Sequence, residues 1–114
     1  MPYNEKFADR VREALVEVPR VKEKKMFRGI TFMVNDKMCI SVNDEEIMCR
    51  VGEKNFETAL EHDGCRPMIH GGRTMKGFVF VRQDALSSKK SLEHWIKTCL
   101  EFNSTIKGKS KKNK

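Results

Sequence analysis

Three short runs in the first half of the chain alternate with a period of two, and only a few residues separate each run from the next. Ile30, Phe32 and Val34 interleave with Thr31 and Met33; Met38, Ile40 and Val42 interleave with Cys39 and Ser41; Ile47, Cys49 and Val51 share one face before Gly52 ends the run. Such a period puts successive side chains on opposite faces of a β-strand. The connections Asn35-Asp36-Lys37 and Asn43-Asp44 are far shorter than the dozen residues a parallel crossover needs. Neighbouring strands must therefore run antiparallel, which excludes a Rossmann-like sheet and predicts a three-stranded meander. A two-residue Asn43-Asp44 turn would place Met38, Ile40 and Val42 on the same face as Ile47, Cys49 and Val51, and send Cys39 to the face opposite Cys49. No cross-strand disulfide between those two cysteines is then expected.

The remaining periodicity is mostly helical. Phe7, Val11, Leu15 and Val18 predict a helix over residues 4–18, with Asn4 as N-cap and Pro19 after the stop. Phe56, Ala59 and Leu60 predict a short helix over Glu53–His62, closed by Asp63-Gly64. Leu92, Trp95, Ile96, Cys99 and Leu100 predict a last helix, capped by Ser87 or Ser88 and ending near residue 104. Between the latter two lie a weak strand over Arg66–Ile69, a glycine-rich connection from His70 to Lys76, and a strand over Gly77–Val81. That strand has Phe78 and Phe80 on one face and Val79 and Val81 on the other. The expected fold is a single α+β domain in the order α-β-β-β-α-β-β-α, an antiparallel sheet packed against helices. No two helices are adjacent, so a helix-turn-helix is absent.

A chain of 114 residues suits one core. Its formal charge is +7, but residues 105–114, TIKGKSKKNK, hold five lysines and no acid, so residues 1–104 carry only +2. The tail is expected to be a disordered lysine-rich arm, able to hold phosphate backbones without reading sequence. The longest uncharged stretch, Gly29 to Asn35, is seven residues, whereas a membrane span needs about 20 apolar ones. The N-terminus, MPYNEKFADR, has no apolar signal region, and a cytoplasmic location is expected. The four cysteines form no CxxC pair and are expected as reduced thiols, Cys49 and Cys99 buried, Cys39 and Cys65 nearer solvent.

Short motifs do not build a catalytic site. Gly71-Gly72-Arg73-Thr74-Met75-Lys76-Gly77 lacks P-loop spacing and leads into a strand, not into a helix whose amides would hold a phosphate. His62, Cys65 and His70 offer three potential zinc ligands where a structural site needs four. Ser87-Ser88-Lys89-Lys90 contains S-x-x-K without its usual companions and reads as a helix cap. No catalytic, cofactor-binding or metal-binding residue is expected, and no cofactor.

Met38 and Met26 fall on core-facing positions, whereas Met33 and Met48 alternate out of phase with the core. Helices on one side of the sheet would leave Met33 and Met48, with Val79 and Val81, as an apolar partner or dimer face. Lys24, Lys25, Arg28, Arg50, Arg73 and Lys76 form a candidate basic surface, in which acids alternate and no aromatic stacking platform is evident.

The stretch Glu23-Lys24-Lys25-Met26-Phe27-Arg28-Gly29, followed by Phe32-Met33-Val34-Asn35, Met38-Cys39, Arg50-Val51-Gly52, Arg66-Pro67-Met68, Gly72-Arg73 and Met75-Lys76-Gly77-Phe78-Val79, resembles the TfoX/Sxy N-terminal domain family over residues 3 to about 102. The resemblance implies an α+β domain with helices on an antiparallel sheet and no established catalytic residues. It also implies kinship with regulators of natural competence that act in transcription and carry a second, C-terminal domain; a stand-alone N-terminal domain is the expectation here. The leading functional expectation is a small cytoplasmic, non-enzymatic regulatory or interaction domain working through a protein partner or a homodimer. An alternative is a nucleic-acid-associated transcriptional regulator using the tail and basic surface. A third is an enzyme in which Cys65, His70 and Arg73 converge.

Overall fold

Asn4 starts the first helix: its side chain accepts a hydrogen bond from the Phe7 amide at 3.1 Å, satisfying one of the donors a helix start leaves unpaired. This helix, α1, runs over Glu5–Ala14. It is shorter than the predicted 4–18 because the chain tightens into turns from Leu15 to Val18, ahead of Pro19, whose ring disfavours helical geometry in the residue before it. The structure, a computed structural model, describes residues 3–26 and 29–106. The predicted core position of the Met26 side chain, the basic-surface position Arg28, and residues 107–114 of the lysine tail lie outside what it describes.

Strands β1 (Val21–Met26), β2 (Gly29–Val34), β3 (Lys37–Val42) and β4 (Glu46–Arg50) follow, then α2 (Glu53–Leu60), β5 (Cys65–His70), β6 (Arg73–Arg82), a 3-10 turn over Gln83–Leu86, and α3 (Lys89–Thr105). All six strands form one antiparallel sheet in the order β1-β2-β3-β4-β6-β5. The α+β class is as expected, and the observed order, α-β-β-β-β-α-β-β-α, contains one strand more than the prediction. That strand is β1, VKEKKM. Its charges point to both faces, so it has no apolar stripe to betray it, which is how an edge strand is protected from pairing with other chains.

Turn chemistry sets the register. Asn35 and Asp36 both adopt positive φ, 55° and 64°, the geometry of a type I′ turn that joins β2 to β3. At the next hairpin the Asn43 amide bonds the Glu46 carbonyl, and the Asn43 side chain accepts from the amides of Glu45 and Glu46. The turn is therefore centred on Asp44-Glu45, one residue later than predicted. Pairing shifts by two, with Ile40 opposite Cys49 and Val42 opposite Ile47, so the face assignment survives.

It does not survive for Cys39 and Met38. Phe32 faces Ile40 while Met33 faces Met38, which leaves Cys39 as the extra residue of a β-bulge. The bulge turns Cys39 inward, where it is 2% exposed and part of the core, instead of toward solvent. Met38 moves to the opposite side beside Met33, correcting its predicted core placement.

One core lies between the sheet and the helices. Phe7, Ala8 and Val11 of α1, Phe56 and Ala59 of α2, and Leu92, Trp95, Ile96 and Cys99 of α3 join Phe32, Ile40, Ile47, Val79 and their sheet neighbours. Gly52 links β4 to α2 with φ at +89°, and a Cβ there would stand 2.3 Å from the Phe102 ring of α3. Only glycine combines that backbone with that approach. Ser88 caps α3 by accepting from the Ser91 amide, so the serines of the S-x-x-K motif serve helix initiation. Among the described residues no helix is long and apolar enough to cross a membrane.

Candidate functional site

The face of the sheet turned away from the helices is the candidate site. Register places Thr31, Ser41, Met48 and Phe80 in one row across β2, β3, β4 and β6, with Met33, Met38, Arg50 and Phe78 on one side of the row and Glu46 and Arg82 on the other. None of Met33, Met38, Met48, Phe78 or Phe80 belongs to the core or packs against it. The floor of the face is polar but satisfied: the hydroxyls of Thr31 and Ser41, both buried, stand 3.0 Å apart. Met48 is nearly buried at 3%, and Met33, Met38, Phe78 and Phe80 are half-buried.

Two arginines lie over the two phenylalanines. The Arg66 guanidinium, from the edge strand β5, sits 4.5 Å above the Phe80 ring centroid, the partner that the β5–β6 register gives it. Glu46 on β4 grips the same group with two hydrogen bonds of 2.8 Å, which raises the Arg66 pKa and holds the guanidinium in one plane. Arg66 remains 56% exposed, so its outer surface is free. Arg50 lies at the margin, 5.4 Å from Phe78 and 5.7 Å from Phe102 of α3, and donates to the Met38 carbonyl.

Of the residues expected to form a partner face, Met33 and Met48 stand on this side. Val79 and Val81 do not: they pair with Cys49 and Ile47, are 0% exposed, and belong to the core. Strict alternation along β6 puts Phe78 and Phe80 on the open side in their place. The candidate basic residues are also dispersed. Lys24, opposite Thr31, lies on the open face at its β1 edge, while Lys25, opposite Ile30, lies on the helix side. Arg73 and Lys76 sit on the exposed end of the β5–β6 hairpin, beyond the end of β4. Of the candidate basic residues Arg50 stands beside an aromatic ring, Phe78, and Arg66, outside that set, lies over Phe80.

Cys65, His70 and Arg73 do not converge. Cys65 opposes Val81 at one end of β5 and His70 opposes Arg73 at the other, about 16 Å away at roughly 3.3 Å per residue. The intervening Gly71-Gly72, at φ +59° and +77°, is a two-residue hairpin turn, and β6 begins at Arg73, earlier than predicted. His62 lies elsewhere, its ring 5.3 Å from His94 and 5.1 Å from Trp95. Among the described residues no group of three or more histidines, cysteines and acids is placed to hold a metal ion.

Three of the four thiols meet in the core. Cys99 on α3 is buried in the same core as Cys39 and Cys49, and all are free. The expectation that Cys39 and Cys49 stand on opposite faces is thus overturned by the bulge. The neighbouring Cys99 thiol and burial push the Cys39 pKa up, burial raises that of Cys99, and burial alone lifts half-buried Cys65 to about 11.

Three helices on one six-stranded antiparallel sheet define an α+β domain. The model of the TfoX N-terminal domain family matches residues 13–103, well over half of the chain, and the chain belongs to that family. No curated protein and no solved structure matches it.

Proposed function

We propose that this chain is a cytoplasmic, non-enzymatic regulatory interaction domain of the TfoX type, whose working surface is the open face of the sheet. The observation that carries the reading is one-sided packing: three helices share one core, and Met33, Met38, Met48, Phe78 and Phe80 on the other side stand outside it. Partly exposed apolar side chains grouped on one sheet face and rimmed by polar groups fit an interaction site. A catalytic constellation needs its groups within hydrogen-bond reach, and the spread of Cys65, His70 and Arg73 along a strand supplies none. The regulatory role rests on family membership, the surface on geometry.

Co-purification of the full chain from its native cells tests this. A retained molecule should be lost with Phe80→Ala and kept with Val16→Ser, since Val16 is 76% exposed on the helix side. Equal retention by both variants would refute the open face as the working surface.

A further inference from the structure

We infer that the open face binds single-stranded nucleic acid, its bases stacking on the Arg66–Phe80 and Arg50–Phe78 pairs and its phosphates meeting the cations around them. The inference rests on the open face being the working surface and names what occupies it. Register puts Lys22, Lys24, Arg50, Arg66 and Arg82 on this face against a single strand acid, Glu46. Asp36 and Asp84 at the flanks pair with Lys22 and Arg82, which leaves an excess of positive charge. A second copy of the chain would have to bring two such faces together, like charge against like, and that costs association free energy. A polyanion relieves the excess.

The aromatic content selects among polyanions. A planar base stacks on an aromatic ring or on an arginine plane, and single strands are held by such platforms in a positively charged groove. Arg66 is suited to this: Phe80 supports one side of the guanidinium, Glu46 fixes its plane through two 2.8 Å bonds, and the other side is open. Its ordering cost is therefore met before a ligand arrives. Duplex DNA fits poorly, because its bases are already stacked and its major groove admits a helix or a two-stranded ribbon, not the face of a six-stranded sheet. An acidic peptide would satisfy the charge and leave the rings without a flat partner.

The test is fluorescence anisotropy of the full chain with labelled twelve-residue oligo(dT), oligo(U) and a duplex of equal length, across a salt series. The expected result is tighter binding of the single strands than of the duplex. The doubly substituted Phe78→Ala/Phe80→Ala variant should weaken single-strand binding by about tenfold or more and leave duplex binding and the salt slope unchanged. Arg66→Lys, which keeps the charge and loses the plane, should shift single-strand affinity the same way by less, and it covers the case in which the phenylalanine variant fails to fold. Equal affinity for single strand and duplex, unaffected by either change, would overturn the inference and assign the binding to lysine charge alone. Loss of a co-purifying acidic protein with Phe80→Ala, in the absence of oligonucleotide binding, would overturn it in favour of a protein occupant and leave the open-face reading standing. A dimer in sedimentation that Phe78→Ala/Phe80→Ala dissociates, again without oligonucleotide binding, would do so in favour of self-association. If neither oligonucleotides nor cellular molecules respond to these changes, both readings fall.

Discussion

The two faces of the sheet are built from the same strands, yet they differ in what covers them. On the helix side Phe32, Ile40, Ile47, Val79 and Val81 are almost fully buried beneath three helices. On the other side Phe78 and Phe80 remain half-buried, with Arg50 and Arg66 lying over them. Apolar residues on the first face are there for stability, because each removes its surface from water against close-packed neighbours. Residues of the same type on the second contribute less to stability and remain available for contact.

The largest test of this contrast compares two phenylalanines. Phe32→Ala should cost about 3–5 kcal/mol, the usual range for emptying a ring-sized site in a packed core. Phe80→Ala should cost about 1 kcal/mol, typical of a partly exposed position. Urea unfolding midpoints give both, and equal costs would mean that the open face is a second core. Gly52→Ala comes next: positive φ and the Phe102 ring together predict a loss of about 2–3 kcal/mol, read in the same way.

Thiol reactivity sharpens the contrast chemically. In denaturant without reductant all four thiols should titrate, whereas in the native state Cys39, Cys49 and Cys99 should be protected. Cys65 should alkylate slowly near neutral pH and faster as pH rises toward about 11. Rapid native labelling of Cys39 would show that the bulge does not turn it inward.

The smallest expected effect is at the edge of the covered face, where Arg12 of α1 reaches Glu23 of β1 through two hydrogen bonds of 2.7 and 2.8 Å. Arg12 holds the Glu23 carboxyl below its usual pKa, so the pair stabilises the fold above the unfolded carboxyl value and that contribution disappears as pH falls through the lowered one. Both side chains are at least a third exposed, so Glu23→Gln should cost under about 1 kcal/mol at pH 7. Its difference from the parent should vanish in acid; a difference that persists would assign the loss to packing.

Most of the fold was legible because strand and helix periods are local. The alternation of Ile30–Val34, Ile40–Val42 and Ile47–Val51, the cap at Asn4, and the alternation of phenylalanine with valine along β6 all follow from local chain geometry, above all from which way successive side chains point. The family was legible for the same reason, through short motifs kept in order. Three features needed the assembled molecule. β1 carries charge on both faces and becomes a strand only because β2 offers it an edge. The bulge at Cys39 depends on how β3 meets β2, and one extra residue there exchanges the environments of Cys39 and Met38. The pairing of Arg66 with Phe80 depends on the register of β5 against β6, fourteen positions apart in the chain. Local sequence therefore determined every element but β1, and the two apolar stripes of β6, whereas only tertiary structure decided which stripe the helices would cover, because covering a face is a choice made by parts of the chain that never touch it in sequence.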